Sequence, residues 1–183
     1  MKKVHEKILF QGKWLALLET TFINAHEQEV TWESVTRNHS PVGTVVIPIL
    51  IPSKRYVLIK QYRPALEGYI LGFPAGLSHD NEDVAMKELK EETGYTGHVV
   101  HQSPLLKTSS GILNDNGRVT VAYIDEEDPQ NQNPQQALEA EEDIQVILLA
   151  KDDAREFLLK ENIKGTYIGS NVWYVFGLTD YLV

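Results

Sequence analysis

Two apolar runs, GTVVIPILI and RYVLIKQYR, follow each other with only PSK between them. Their β-branched and aromatic residues favour strands, and so short a polar connection joins them as a hairpin. Neither run alternates cleanly between apolar and polar positions, so both read as core strands. A chain of 183 residues with 42% hydrophobic content can cover such strands in one globular domain, with room for a small appendage.

The flanking sequence supplies the rest of the fold. KWLALLETTFI and VTWESVTR, split by the polar NAHEQE, read as further strands. LEGYILGFPAGL carries Gly and Pro at points of tight backbone geometry. DNEDVAMKELKEET reads as a helix in which Asp80 or Asn81 caps the start, acidic residues fill the first turn and Gly94 ends it. GHVVHQSPLL, RVTVAYI and IQVILLA read as strands, and DEEDPQNQNPQQALEAEED as a long polar loop. KDDAREFLLKEN is an amphipathic helix, and GSNVWYVFGLTDYLV a C-terminal helix despite its β-branched content. Strands and helices mix without strict βαβ alternation, so the expected class is α+β, as an α/β/α sandwich around a mixed sheet.

A net charge of −9 argues against general nucleic-acid binding and against an anionic membrane surface. It leaves room for an anionic substrate, because a divalent metal can invert the local field. The absence of cysteine excludes disulfides, thiolate metal sites and a cysteine nucleophile. MKKVHEKILF lacks the uninterrupted apolar region of a signal peptide, and no segment approaches the roughly 20 apolar residues needed to span a bilayer. A cytoplasmic protein is the expectation. No Ser-His-Asp arrangement, Walker-type loop or Rossmann fingerprint is present, and His79 reads as an exposed loop residue.

Chemistry concentrates in MKELKEETGY, from Met86 to Tyr95. On a helix, Glu88 and Glu92 are four residues apart and roughly 5–6 Å between Cβ atoms, with Glu91 on an adjacent stripe. Like charges at that spacing repel. One reading is a solvated face on which Lys87 pairs with Glu91. The other is a cluster of hard oxygen ligands for Mg²⁺ or Mn²⁺, in which a metal turns repulsion into coordination.

PAGLSHDNEDVAMKELKEETGY resembles the Nudix box of the Nudix hydrolases, matching its second half at Glu88, Leu89, Glu91, Glu92, Gly94 and Tyr95. Lys87 stands where the family has arginine, and the segment between Gly76 and Glu88 is three residues short, leaving Glu82 nearest to the first box glutamate. TWESVTR, QYRP, FPAGL and SSGILND occur in the order expected of the ADP-ribose pyrophosphatase branch, the nucleoside diphosphate sugar hydrolases. The resemblance spans most of the chain from about Thr31 onward.

This resemblance implies a Nudix fold, with residues 1–40 as an N-terminal β-segment used in homodimerisation and residues 41–183 as the hydrolase domain. It implies two or three Mg²⁺ or Mn²⁺ ions per site, held by Glu88 and Glu92 with help from Glu91 and the backbone carbonyl of Ala75. In LEAEEDIQV it implies a catalytic base or further ligand at Glu142, with Glu141 or Glu139 as alternatives; Ala140 interrupts the acidic run where some relatives place the base. Arg63 resembles a phosphate-gripping arginine, suited by its planar, permanently charged guanidinium. Trp32 resembles a base-stacking tryptophan, Glu33 and Arg37 share its motif, and Ser110 and Gly111 lie in the loop that shapes the sugar pocket. That loop and Gly72 differ from many relatives, which leaves the preferred sugar open. The implied reaction is metal-dependent pyrophosphate hydrolysis of nucleoside diphosphate sugars, ADP-ribose among them. The alternatives are hydrolysis of a nucleoside triphosphate or dinucleoside polyphosphate, and a module that binds nucleotide sugars without turnover.

Overall fold

The N-terminal segment up to Arg37 folds as a meander because NAHEQE turns the chain back on itself. The Asn24 carboxamide oxygen accepts the His26 and Gln28 amides at 2.8 and 3.0 Å, an Asx turn that leaves Glu27 at φ 59°. Strands β1 (Lys2–Gln11), β2 (Leu15–Ile23) and β3 (Glu29–Arg37) form an antiparallel sheet in sequence order. The sequence reading placed the first ten residues within an N-terminal β-segment without marking a strand there. They form β1, which is exposed along its whole length and therefore carries no core pattern.

The computed structural model describes residues 1–39, 42–78 and 84–178, which divide into two compact units. The first holds the meander, Leu77, Ser78 and Ser103–Arg118. The second holds the remaining described residues and is built on a mixed sheet. Its elements are β4 (Val42–Ile51, which begins in the first unit), β5 (Tyr56–Arg63), β6 (Gly68–Gly72), β7 (Ala75–Ser78, which ends in the first unit), α1 (Val84–Thr93), β8 (His98–Gln102), β9 (Asn116–Asp125, which begins in the first unit), β10 (Ile144–Leu149), α2 (Lys151–Ile163) and β11 (Tyr167–Ile168). A short α3 (Ser170–Val172) runs on as a π turn over Trp173–Gly177, so the C-terminal helix is seen as far as Gly177. Residues 179–183 of that expected helix lie outside the described residues, as do His79, the caps Asp80 and Asn81, and Glu82.

The sheet runs β11-β6-β5-β4-β9-β8, with β10 on β5 and β7 on β4. β11 is parallel to β6, whereas β5 is antiparallel to both β6 and β10. Helices cover both faces. Val57 of β5 packs with Val46, Ala85 and Leu89 on the α1 side, and its neighbour Leu58 with Ala154, Leu158 and Phe176 on the α2 side. The consecutive apolar residues of RYVLIKQYR thus serve two cores, which is why that run does not alternate. This is the expected α/β/α sandwich. Among the described residues no helix is long and apolar enough to cross a membrane.

Candidate active site

Helix α1 is composed of strong helix formers and ends at Gly94, whose φ of 79° lets its amide close on the Lys90 carbonyl at 2.8 Å. Ala85, Leu89 and Glu92 share its buried face. Glu92 is therefore drawn in by the same periodicity that buries Leu89, and is only 2% exposed. Its Oε2 accepts the Ala75 amide at 3.0 Å. Burial pushes the Glu92 carboxyl up to about 8, with Glu88 and Glu142 adding to the rise and the Ala75 amide and Arg63 opposing it. Glu88, one turn earlier and half-buried, is also raised, first by burial and then by Glu91. Gly76 faces this side chain, and an added Cβ would fall inside the Glu88 carboxylate. Glu91 pairs with Lys87 at 3.5 Å on the outer stripe.

The pairing of β5 with β10 sets Gln61 opposite Ile144. It thereby brings the end of β5, where Arg63 sits, beside the point at which the long loop enters β10. The charges of Glu142 and Glu139 both raise Glu88, and Glu142 also raises Glu92, so this turn lies within the field of the helix carboxylates. Glu142 is partly buried and its Oε2 accepts the Glu139 amide at 2.9 Å, while Glu141 and Ala140 are exposed.

In the first unit, the TWESVTR and SSGILND motifs meet. Trp32 Nε1 donates to the Gly111 carbonyl at 2.9 Å, and the Val35 amide to the Ile112 carbonyl at 2.7 Å. Arg37 Nε pairs with Asp115 at 2.9 Å. The Trp32 side chain stays largely in solvent, and Ser110 and Glu33 are also exposed, Glu33 opposite Glu19 of β2.

Among the described residues no three carboxylate or imidazole groups close on one point. The donor set nevertheless suits a hard divalent ion. Mg²⁺ is held by one or two protein carboxylates and fills its remaining positions with water and substrate phosphate oxygens. Glu88 and Glu92 form such a pair, and their raised proton affinity is the cost of burying like charges that a cation would offset. The structure therefore gathers Ala75, Glu88, Glu92, Arg63, Glu139 and Glu142 in one unit, and Trp32, Arg37, Ser110 and Gly111 in the other. Sequence reasoning missed Gln136, Tyr69 and Asp143, polar contacts that no spacing or motif marks. It included Asp115 only as the end of a loop.

The NUDIX domain family model matches residues 39–167. The chain is similar to the ADP-sugar pyrophosphatase of Mus musculus, at 35% identity over 81% of this chain and 72% of that protein. It is similar to the ADP-ribose pyrophosphatase of Saccharomyces cerevisiae, at 33% identity over 92% of this chain and 78% of that protein. A crystal structure of an ADP compounds hydrolase shares the fold, with a TM-score of 0.62 and 20% identity, covering 90% of this chain and 96% of that one.

Proposed function

Because this chain belongs to the NUDIX family, we propose that it hydrolyses the pyrophosphate bond of nucleoside diphosphate sugars, ADP-ribose and related ADP-sugars among them. The products are a nucleoside monophosphate and a sugar phosphate. The observation that carries this reading is the buried Glu92 with Glu88 one turn away, within the field of the Arg63 and Glu139–Glu142 charges.

In this reading Glu88 and Glu92 are the principal ligands of Mg²⁺ or Mn²⁺, two or three ions per site, with Glu91 and the Ala75 carbonyl assisting. Bound there, the ions would polarise phosphoryl oxygens and lower the pKa of a coordinated water. Arg63 grips a phosphate through its planar fork and opposes the negative charge of the diphosphate. Glu142, or its neighbours Glu139 and Glu141, accepts a proton from the water as its oxygen attacks phosphorus. The bridging P–O bond then breaks and the leaving phosphate carries off the bridging oxygen. Trp32 offers an exposed ring for stacking on the nucleobase, tolerant of base identity because every base has a π-face. Gly111 and Ser110 line the sugar end, and Arg37, Glu33 and Asp115 hold that loop or the substrate.

The same reading makes the chain a cytoplasmic homodimer joined through residues 1–40, with 41–183 as the hydrolase domain. Exposed Val4, Ile8, Phe10 and Trp14 on and beside β1 support it, since large apolar side chains left uncovered on an exposed strand suit a partner surface. Product analysis over a panel of nucleotide sugars, nucleoside triphosphates and dinucleoside polyphosphates, each with Mg²⁺ and with Mn²⁺, tests the substrate class. Metal-dependent release of AMP and ribose 5-phosphate from ADP-ribose is expected. Turnover confined to triphosphates, or tight binding without turnover, would overturn it.

A further inference from the structure

Gln136 lies on the long loop three residues before Glu139, and the chemistry described so far does not use it. Its side-chain Nε2 donates to the Glu92 carbonyl at 2.6 Å and to the Ile144 carbonyl at 3.1 Å. The first carbonyl belongs to the last turn of α1, where intrahelical donors run out. The second opens β10, immediately after Asp143. One primary amide, with its two hydrogens, thus ties the end of the glutamate helix to both sides of the Glu139–Glu142 turn.

Neighbouring contacts fasten the same turn. The Ala137 amide donates to the Glu91 carbonyl at 2.8 Å. Gly94 packs so closely that an added Cβ would lie 2.7 Å from the Pro134 and Gln135 carbonyl carbons. On the far side, the Asp143 carbonyl accepts the Tyr62 amide at 3.1 Å, and the Tyr69 hydroxyl donates to the Asp143 carboxylate. Between these two fastenings the carboxylate of Glu142 is turned onto the Glu139 amide. The turn is polar apart from Leu138, which is only partly buried, so hydrogen bonds at its two ends help to determine where its carboxylates stand.

We propose that Gln136 is a positioning residue for hydrolysis, setting the Glu139–Glu142 turn against α1 so that the proton acceptor faces the helix carboxylates. The inference rests on the reading in which a glutamate of this turn takes the proton from water. A displacement of about 1 Å in such a group costs up to about a hundredfold in rate.

The test is Gln136→Met, which keeps the length of the side chain and removes both donors. For the folded variant, kcat on ADP-ribose with saturating Mg²⁺ falls about 10- to 100-fold. KM and Mn²⁺ affinity, the latter followed by electron paramagnetic resonance of the free ion, stay near wild type. Wild-type kcat in the folded variant overturns the proposal. So does a parallel loss of Mn²⁺ affinity, because Gln136 would then be supporting the helix rather than the turn. Should Gln136→Met fail to fold, Gln136→Asn, which keeps the amide but is too short to span the Glu92 and Ile144 carbonyls, carries the same test with the same outcomes. Glu142→Gln, Glu141→Gln and Glu139→Gln, measured alongside, separate two failures. If all three keep full kcat, the turn does not carry the base and both readings fall. If any one loses kcat while Gln136→Met does not, only the positioning role falls.

Discussion

Glu92 is the residue on which burial and charge make opposite demands. Its spacing from Glu88 was legible in the sequence, but its burial was not, because burial depends on Ala85 and Leu89 facing a sheet that spacing alone does not place. The consequence is a pH dependence whose sign follows from the raised carboxyl. The folded state binds the proton more tightly than the unfolded chain, so its contribution is complete below 4.5 and lost as pH rises through about 8. Metal-free protein should therefore lose stability between those values, on the order of a few kcal/mol from this group. Glu92→Gln should flatten the profile in chelator, which thermal melts across that range will measure. Gly76 makes a second prediction. Gly76→Ala would drive its methyl into the Glu88 carboxylate and displace it, lowering both Mn²⁺ affinity and kcat by about tenfold or more while the melting temperature changes little. The glycine was visible in FPAGL, but its reason, a side chain from the following helix, was not.

At the scale of elements, β5 was the most legible because apolar residues on both faces leave a continuous run that only a doubly covered strand explains. β1 was the least legible. It is a strand held by backbone pairing to β2 with no buried face, so no hydrophobic period announces it. The loop before β10 was legible as a loop from its Pro and Gln content, whereas its fastening to α1 rests on amide contacts that composition does not encode. An ionic contact adds to the apolar join of α2 to the sheet. Glu161 accepts hydrogen bonds from Lys164 at 2.7 Å and Lys60 at 2.9 Å, which hold its carboxyl down at about 2. A depressed carboxyl contributes stability above 4.5 that is lost as pH falls through about 2. Glu161→Gln should therefore lower the melting temperature at pH 7, with a gap from wild type that narrows steadily in acid. A gap independent of pH would show that packing, not charge, holds this end of the helix.

At the scale of the molecule, the exposed apolar side chains of strand β1 and the diphosphate chemistry bear on separate measurements. Sedimentation equilibrium should find a dimer at micromolar concentration, and Ile8→Lys with Phe10→Lys should shift it to monomer without unfolding the second unit. A wild-type monomer would count against the role given to residues 1–40. The hydrolase itself stands or falls on Glu92. Turnover of ADP-ribose by Glu92→Gln, measured with saturating Mg²⁺ on protein shown to be folded, should drop by about 10³-fold or more, as loss of a principal charged group at the reacting phosphates requires. Turnover equal to that of the unsubstituted chain would mean that the buried carboxylates of α1 do not hold the metal.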